Sequence, residues 1–115
     1  MEEHFPQKLY HATSIKNTDK IEKNGISYNV DRKWNISKKD VTYWAETPIG
    51  AALYVRMKGI KVNDIVIYEA PLSAFDTKKL QPDRNYPENA RSGSYEYNGN
   101  MPATQLRRIS DKEWR

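Results

Sequence analysis

Cysteine is absent from the 115-residue chain, so neither a disulfide framework nor a thiolate zinc site is available. Histidine occurs only as His4 and His11, too few to build a histidine-based metal centre. No metal cofactor is therefore expected. Aliphatic residues are also scarce. Leu, Ile, Val and Phe supply 21 of 115 residues, about 18%, just under the roughly 20% line at which disorder becomes a serious reading. No apolar run approaches the roughly 20 residues that cross a bilayer. The start, Met1 to Lys8, is polar and mixed in charge, unlike a signal or transit peptide. These absences lead to the expectation of a cytoplasmic protein with no membrane attachment.

What is present argues for a folded chain. Thirteen aromatics (8 Tyr, 3 Trp, 2 Phe) and a net charge of only +4 are unlike disordered sequences. The length suits one domain, residues 1–115, with a thin aliphatic core supplemented by Tyr and Trp. A charge of +4 tolerates a polyanionic partner without demanding one.

Local patterning predicts a strand over residues 7–13. A helix follows, capped by Ser14, with a narrow stripe of Ile15, Ile21 and Ile26 and a stop at Asn24-Gly25. Residues 27–40 read as a loop. Val41 to Ala45 is β-branched and aromatic, hence a strand. Thr47-Pro48 then opens a helix that continues through Met57 and ends at Gly59. Ile65 to Tyr68 is the strongest strand, closed by Pro71. Residues 81–93 read as unstructured, and Tyr95–Tyr97 and Leu106–Ile109 as two last strands. The order β-α-β-α-β-β-β describes a compact α+β domain.

Phosphate loops, nucleophile elbows and His-Glu-x-x-His are all missing. Chemistry is left to a polar strand end (His11, Thr13, Ser14), an aromatic strand (Tyr43, Trp44) and a carboxylate between tyrosines (Glu96). Each has an ordinary explanation. A strand histidine usually bonds a neighbouring carbonyl, and an isolated strand glutamate is usually a solvated charge. Alternation sends Tyr43 and Trp44 to opposite faces, one to the core and the other free to line a cleft. It also turns Glu96 away from Tyr95 and Tyr97.

Taken in order, three blocks resemble the ADP-ribosyltransferase fold. They are Leu9-Tyr10-His11-Ala12-Thr13-Ser14 with Ile21 and Gly25-Ile26; Val41 to Thr47 with Ala51-Ala52 and Tyr54-Val55; and Ser94 to Pro102 with Leu106 to Ile109. Within that superfamily they look most like the RNA 2′-phosphotransferase and DNA-modifying toxin branches. The resemblance implies a split β-sheet core with two main helices and a His-Tyr-Glu site for nicotinamide adenine dinucleotide (NAD) as co-substrate. By that likeness His11 holds the nicotinamide-side ribose, with Thr13 or Ser14 supporting it. Tyr43 stacks on nicotinamide, with Tyr54 also at the dinucleotide. Arg32 or Arg56 neutralises the pyrophosphate, and Glu96 stabilises the cationic sugar.

The implied activity is transfer of ADP-ribose to a macromolecule, nucleic acid or protein. Ser94 stands where arginine-modifying members carry a second glutamate, which argues against arginine as acceptor. Small members of the superfamily often act in conflicts between microbes and their viruses, as toxins or phage proteins. Two other readings compete. One is a domain of the same fold that binds a nucleotide or partner without turnover, as an inhibitor would. The other is a nucleic-acid-binding domain using Arg32, Lys33, Lys38 and Lys39 around Trp34, together with Arg107-Arg108.

Overall fold

The computed structural model describes residues 5–27, 41–82 and 93–115. Along these run β1 (Lys8–Ser14), α1 (Thr18–Asn24), β2 (Thr42–Ala45), α2 (Pro48–Arg56), β3 (Ile65–Pro71), β4 (Leu80–Pro82), β5 (Ser94–Tyr97) and β6 (Arg107–Arg108), joined by short 3₁₀ turns. The strands form one antiparallel sheet in the order β4-β5-β2-β1-β3-β6. The class is α+β with two helices, as the patterning predicts.

Three boundaries differ from the sequence expectation. Ser14 caps the 3₁₀ turn Ile15–Asn17, and α1 starts only at Thr18. Ile15 therefore leaves the stripe and is 45% exposed, while Ile21 and Ile26 are buried. The last strand is two residues long, not four. β4 falls within the stretch read as unstructured, because a three-residue edge strand ending in Pro82 carries no periodic signal. The remainder of that stretch up to residue 92, and the loop residues 28–40, lie outside the described residues.

Strand pairing assigns each side chain to a face. β1 pairs with β3 along its whole length, from Lys8 opposite Pro71 to Ser14 opposite Ile65. Leu9, Trp44, Val66, Tyr68, Ala70, Leu80 and Tyr97 face α1, where Ile21, Ile26, Phe75 and Met101 complete a core. Aromatic edges do much of the packing there. Phe75 meets Trp44 at 4.9 Å and 88°, and Tyr97 at 4.8 Å and 76°. Such contacts add about 1 kcal/mol each beyond area burial. On the other face Ala12 and Ala45 meet Ala51, Ala52 and Val55 of α2, flanked by Ile65, Ile67, Ile109 and Trp114. Four alanines let this helix approach the sheet closely. The aliphatic shortage is thus met by rings on one face and by small side chains on the other.

Gly25 caps α1 at φ +84°, and an added Cβ would collide with the Met101 carbonyl oxygen. That carbonyl accepts from Ile26 N in the bridge joining the helix exit to the C-terminal segment. Gly59 has a similar φ of +94° but open space around it. Gly25→Ala should cost about 2 kcal/mol or more, and Gly59→Ala about 1 kcal/mol. Denaturant unfolding of the two variants checks this. Equal losses would show that the contact at Met101 contributes nothing.

Candidate functional site

The middle of the sheet is its narrowest part. β1 and β2 share a single paired position, Tyr10 opposite Ala45. Just beyond it the His11 ring lies between the strands, and Nδ1 is 2.7 Å from the Tyr43 carbonyl oxygen. A carbonyl only accepts, so Nδ1 carries the hydrogen, and in the neutral ring Nε2 is the acceptor. The ring is 5% exposed and lies 5.4 Å from the Trp44 ring, tilted by 50°. The histidine-to-carbonyl contact is the ordinary one expected of a strand histidine, but it sits where the ladder stops.

Tyr43 and Glu96 are directly opposite on β2 and β5, so they share the face that carries α2. Alternation buries Trp44 at 2% exposure and leaves Tyr43 half-buried at a cleft. Glu96 departs from the solvated charge that an isolated strand glutamate suggests. It is 2% exposed, and its Oε1 accepts from Gln81 Nε2 at 3.2 Å. Gln81 lies opposite it on β4, the strand the sequence did not reveal. No composition or spacing signal marks that glutamine.

Tyr54 of α2 places its ring 5.4 Å from that of Tyr43, with Lys58 Nζ 4.4 Å from the Tyr54 ring centroid. Tyr10, Ala12, Tyr43, Ala45, Tyr54 and Ser94 border a cleft of about 20 Å³ between α2 and the sheet. That is room for about one water molecule.

His11 and Thr13 belong to the opposite face by strand parity. Thr13 Oγ1 accepts from Asn17 Nδ2 at 2.8 Å, and Ser14 Oγ accepts from Lys16 N at 3.2 Å. Arg56 is exposed at the end of α2. Arg32, with the basic stretch around Trp34, lies outside the described residues. Of the tyrosines near the site, Tyr10 and Tyr43 border the cleft. Tyr95 instead meets Phe5 at 5.8 Å, and Tyr97 lies in the α1-side core. Among the described residues no three His, Asp or Glu side chains are grouped to hold a metal ion, and no helix is long and apolar enough to cross a membrane.

A polar network borders the cleft through Tyr10. Its hydroxyl donates to Glu69 Oε2 at 3.1 Å. Arg107 grips Glu69 with Nε and Nη2 at 3.1 and 3.3 Å, and Glu113 with Nη2 at 2.9 Å. Burial pushes the Glu69 carboxyl up, but hydrogen bonds from Arg107 and Tyr10 and the charges of Arg107 and Lys8 outweigh it, leaving the group below its ordinary value. Burial, then the hydrogen bond to Glu69, raises Tyr10. Glu113 is held at about 2 by Arg107 and by the Ser110 backbone N–H. Arg108 in turn lies 3.8 Å from Glu22. Arg107 and Arg108, the adjacent pair offered for nucleic-acid binding, are thus both engaged with carboxylates.

Compared with known proteins, the chain matches no protein-family model and no curated protein.

Both glutamates are lowered, so their stabilising contribution is complete above the ordinary glutamate value of 4.5 and fades on acidification below it, for Glu113 as the pH falls toward about 2. The melting-temperature gap between the parent and Arg107→Ala should be widest above about pH 5 and shrink on acidification. A gap that does not change between pH 6 and pH 2.5 would remove the network from the stability of the fold.

Proposed function

We propose that this chain is an NAD-dependent ADP-ribosyltransferase that modifies a macromolecule, nucleic acid or protein. The observation that carries the reading is the juxtaposition of Tyr43 and Glu96: a half-buried ring opposite a carboxylate that is 2% exposed and braced by Gln81. A carboxylate withdrawn from water beside an aromatic face suits a reaction that develops positive charge on a sugar. Support also comes from the narrowing between β1 and β2, since the resembled fold has a split sheet with two main helices.

In this reading the bond between ribose C1′ and the nicotinamide nitrogen breaks, and its electron pair leaves with nicotinamide. The acceptor's oxygen or nitrogen forms the new bond to C1′ and releases its proton to water. Glu96 hydrogen-bonds the ribose and stabilises its cationic character. Tyr43 offers a ring face to the nicotinamide while that ring is cationic. Because His11 and Thr13 lie on the other face of the sheet, His11 acts on this site by fixing Tyr43 through its carbonyl, and Thr13 or Ser14 supports the His11 strand. Arg32 or Arg56 neutralises the pyrophosphate.

Tyr43 and Glu96 suit the nicotinamide-side ribose, but the space between Tyr43 and Tyr54 does not admit it. Binding requires the Tyr54 ring to part from Tyr43, because a cleft of about 20 Å³ is far below the several hundred Å³ of a ligand pocket. The same observation favours a second reading, a domain of this fold that binds a nucleotide or partner without turnover.

Incubation with labelled NAD and a mixture of proteins and nucleic acids tests both. The parent should mark one acceptor class, and Glu96→Gln, which keeps the shape and the Gln81 contact, should lower transfer by about 10²-fold or more. Transfer unchanged in that variant would end the Glu96 role. Dinucleotide binding by calorimetry with no nicotinamide released would select the second reading.

A further inference from the structure

α2 is apolar on both sides. Ala51, Ala52 and Val55 face the sheet, while Ile49, Leu53 and Met57 point outward at 59%, 50% and 77% exposure. These are three of the four large apolar side chains that the described residues expose. Met57 keeps helical dihedrals as the C-cap, so the positions fall four apart on one line, a stripe about 12 Å long. A helix apolar all round is ordinarily covered on all sides. Here the outer side is open.

Cations gather at the C-terminal end of the stripe. Between Glu46 and Asp64 the chain carries Arg56, Lys58 and Lys61 and no carboxylate. Among the described residues Arg56 and Lys61 take part in no ion pair, and Lys58 lies over the Tyr54 ring. From these observations we infer that the outer face of α2 docks an acidic protein segment that presents two or three apolar side chains.

Three arguments select that occupant. A second copy of the chain would need a stable dimer interface, and a stripe of a few hundred Å² falls well short of the roughly 1,000 Å² that takes. A nucleic acid gains from hydrogen bonds and stacking planes, which an aliphatic stripe does not offer. An acidic segment with apolar anchors satisfies the stripe and the cations together, and the cations speed encounter and set orientation. The docking face shares only Arg56 with the transferase reading, and no dinucleotide enters its measurement.

A library of random peptides of ~16 residues, panned on the immobilised full chain with counter-selection on Leu53→Glu, tests it. Recovered peptides should have a net charge of about −3 or lower, carry two or three Leu, Ile, Met or Phe, and bind with Kd below about 100 μM. Leu53→Glu and Met57→Glu, both at surface positions, should each weaken binding at least about tenfold with the melting temperature kept. Arg56→Ala should weaken it about threefold at low salt and less at high salt. The inference is overturned by neutral or basic peptides, by none, or by peptides that bind both glutamate variants as well as the parent. It is equally overturned if oligothymidylate or phosphatidylserine vesicles, not acidic peptides, take the face in a way that both variants abolish.

Discussion

The hydrogen bond from His11 Nδ1 to the Tyr43 carbonyl stands at the point where the sheet comes closest to dividing. β1 belongs firmly to β3, and β2 to β5, through full-length ladders. Between those halves only Tyr10 and Ala45 pair. A buried carbonyl beside an interrupted ladder needs a donor, and the histidine supplies one without extending the strand contact. The ring also rests against Trp44, so the same side chain that ties the halves together is seated in the α1-side core.

That junction decides where chemistry can be placed. Tyr43 follows the sheet onto the α2 face, and Glu96 follows it through register. His11 and Thr13 take the other face by the same alternation. The three site residues inferred from resemblance therefore do not converge as a flat strand pattern would suggest. Tyr43 and Glu96 meet side by side, and His11 reaches them through the backbone of Tyr43. Packing reinforces this separation. Four alanines draw α2 close to the sheet, which puts Tyr54 against Tyr43 and reduces the cleft to about the space of a water molecule.

Electrostatics holds the opposite border. Arg107 clamps a carboxylate from β3 and one from the C-terminal turn, and Glu69 passes the constraint to Tyr10 at the cleft. Partly buried, bidentate geometry makes such a pair worth more than an isolated surface contact. The arrangement explains why a pair of adjacent arginines, which in the sequence suggests phosphate binding, serves the fold. Arginine's planar donors match carboxylate as well as phosphate, and composition does not distinguish the two.

Both helices, the order of the longer strands, the stop at Gly25 and the division of labour between Tyr43 and Trp44 are determined by local sequence. Each rests on interactions within a few residues: a cap, a positive φ, or the two-residue alternation of a strand. What lay beyond the sequence depends on partners distant along the chain. β4 exists because β5 lends it a ladder, and only then does Gln81 meet Glu96 and Glu96 leave water. Ile15 turns outward because tertiary packing starts α1 three residues later than its cap suggests. The outward stripe of α2 is likewise invisible to periodicity, since an apolar residue at helical spacing has the same pattern whether a core covers it or solvent does. Local steric and hydrogen-bonding rules therefore specify the elements, while burial, which is a property of the whole packed chain, decides which of their side chains are available to act.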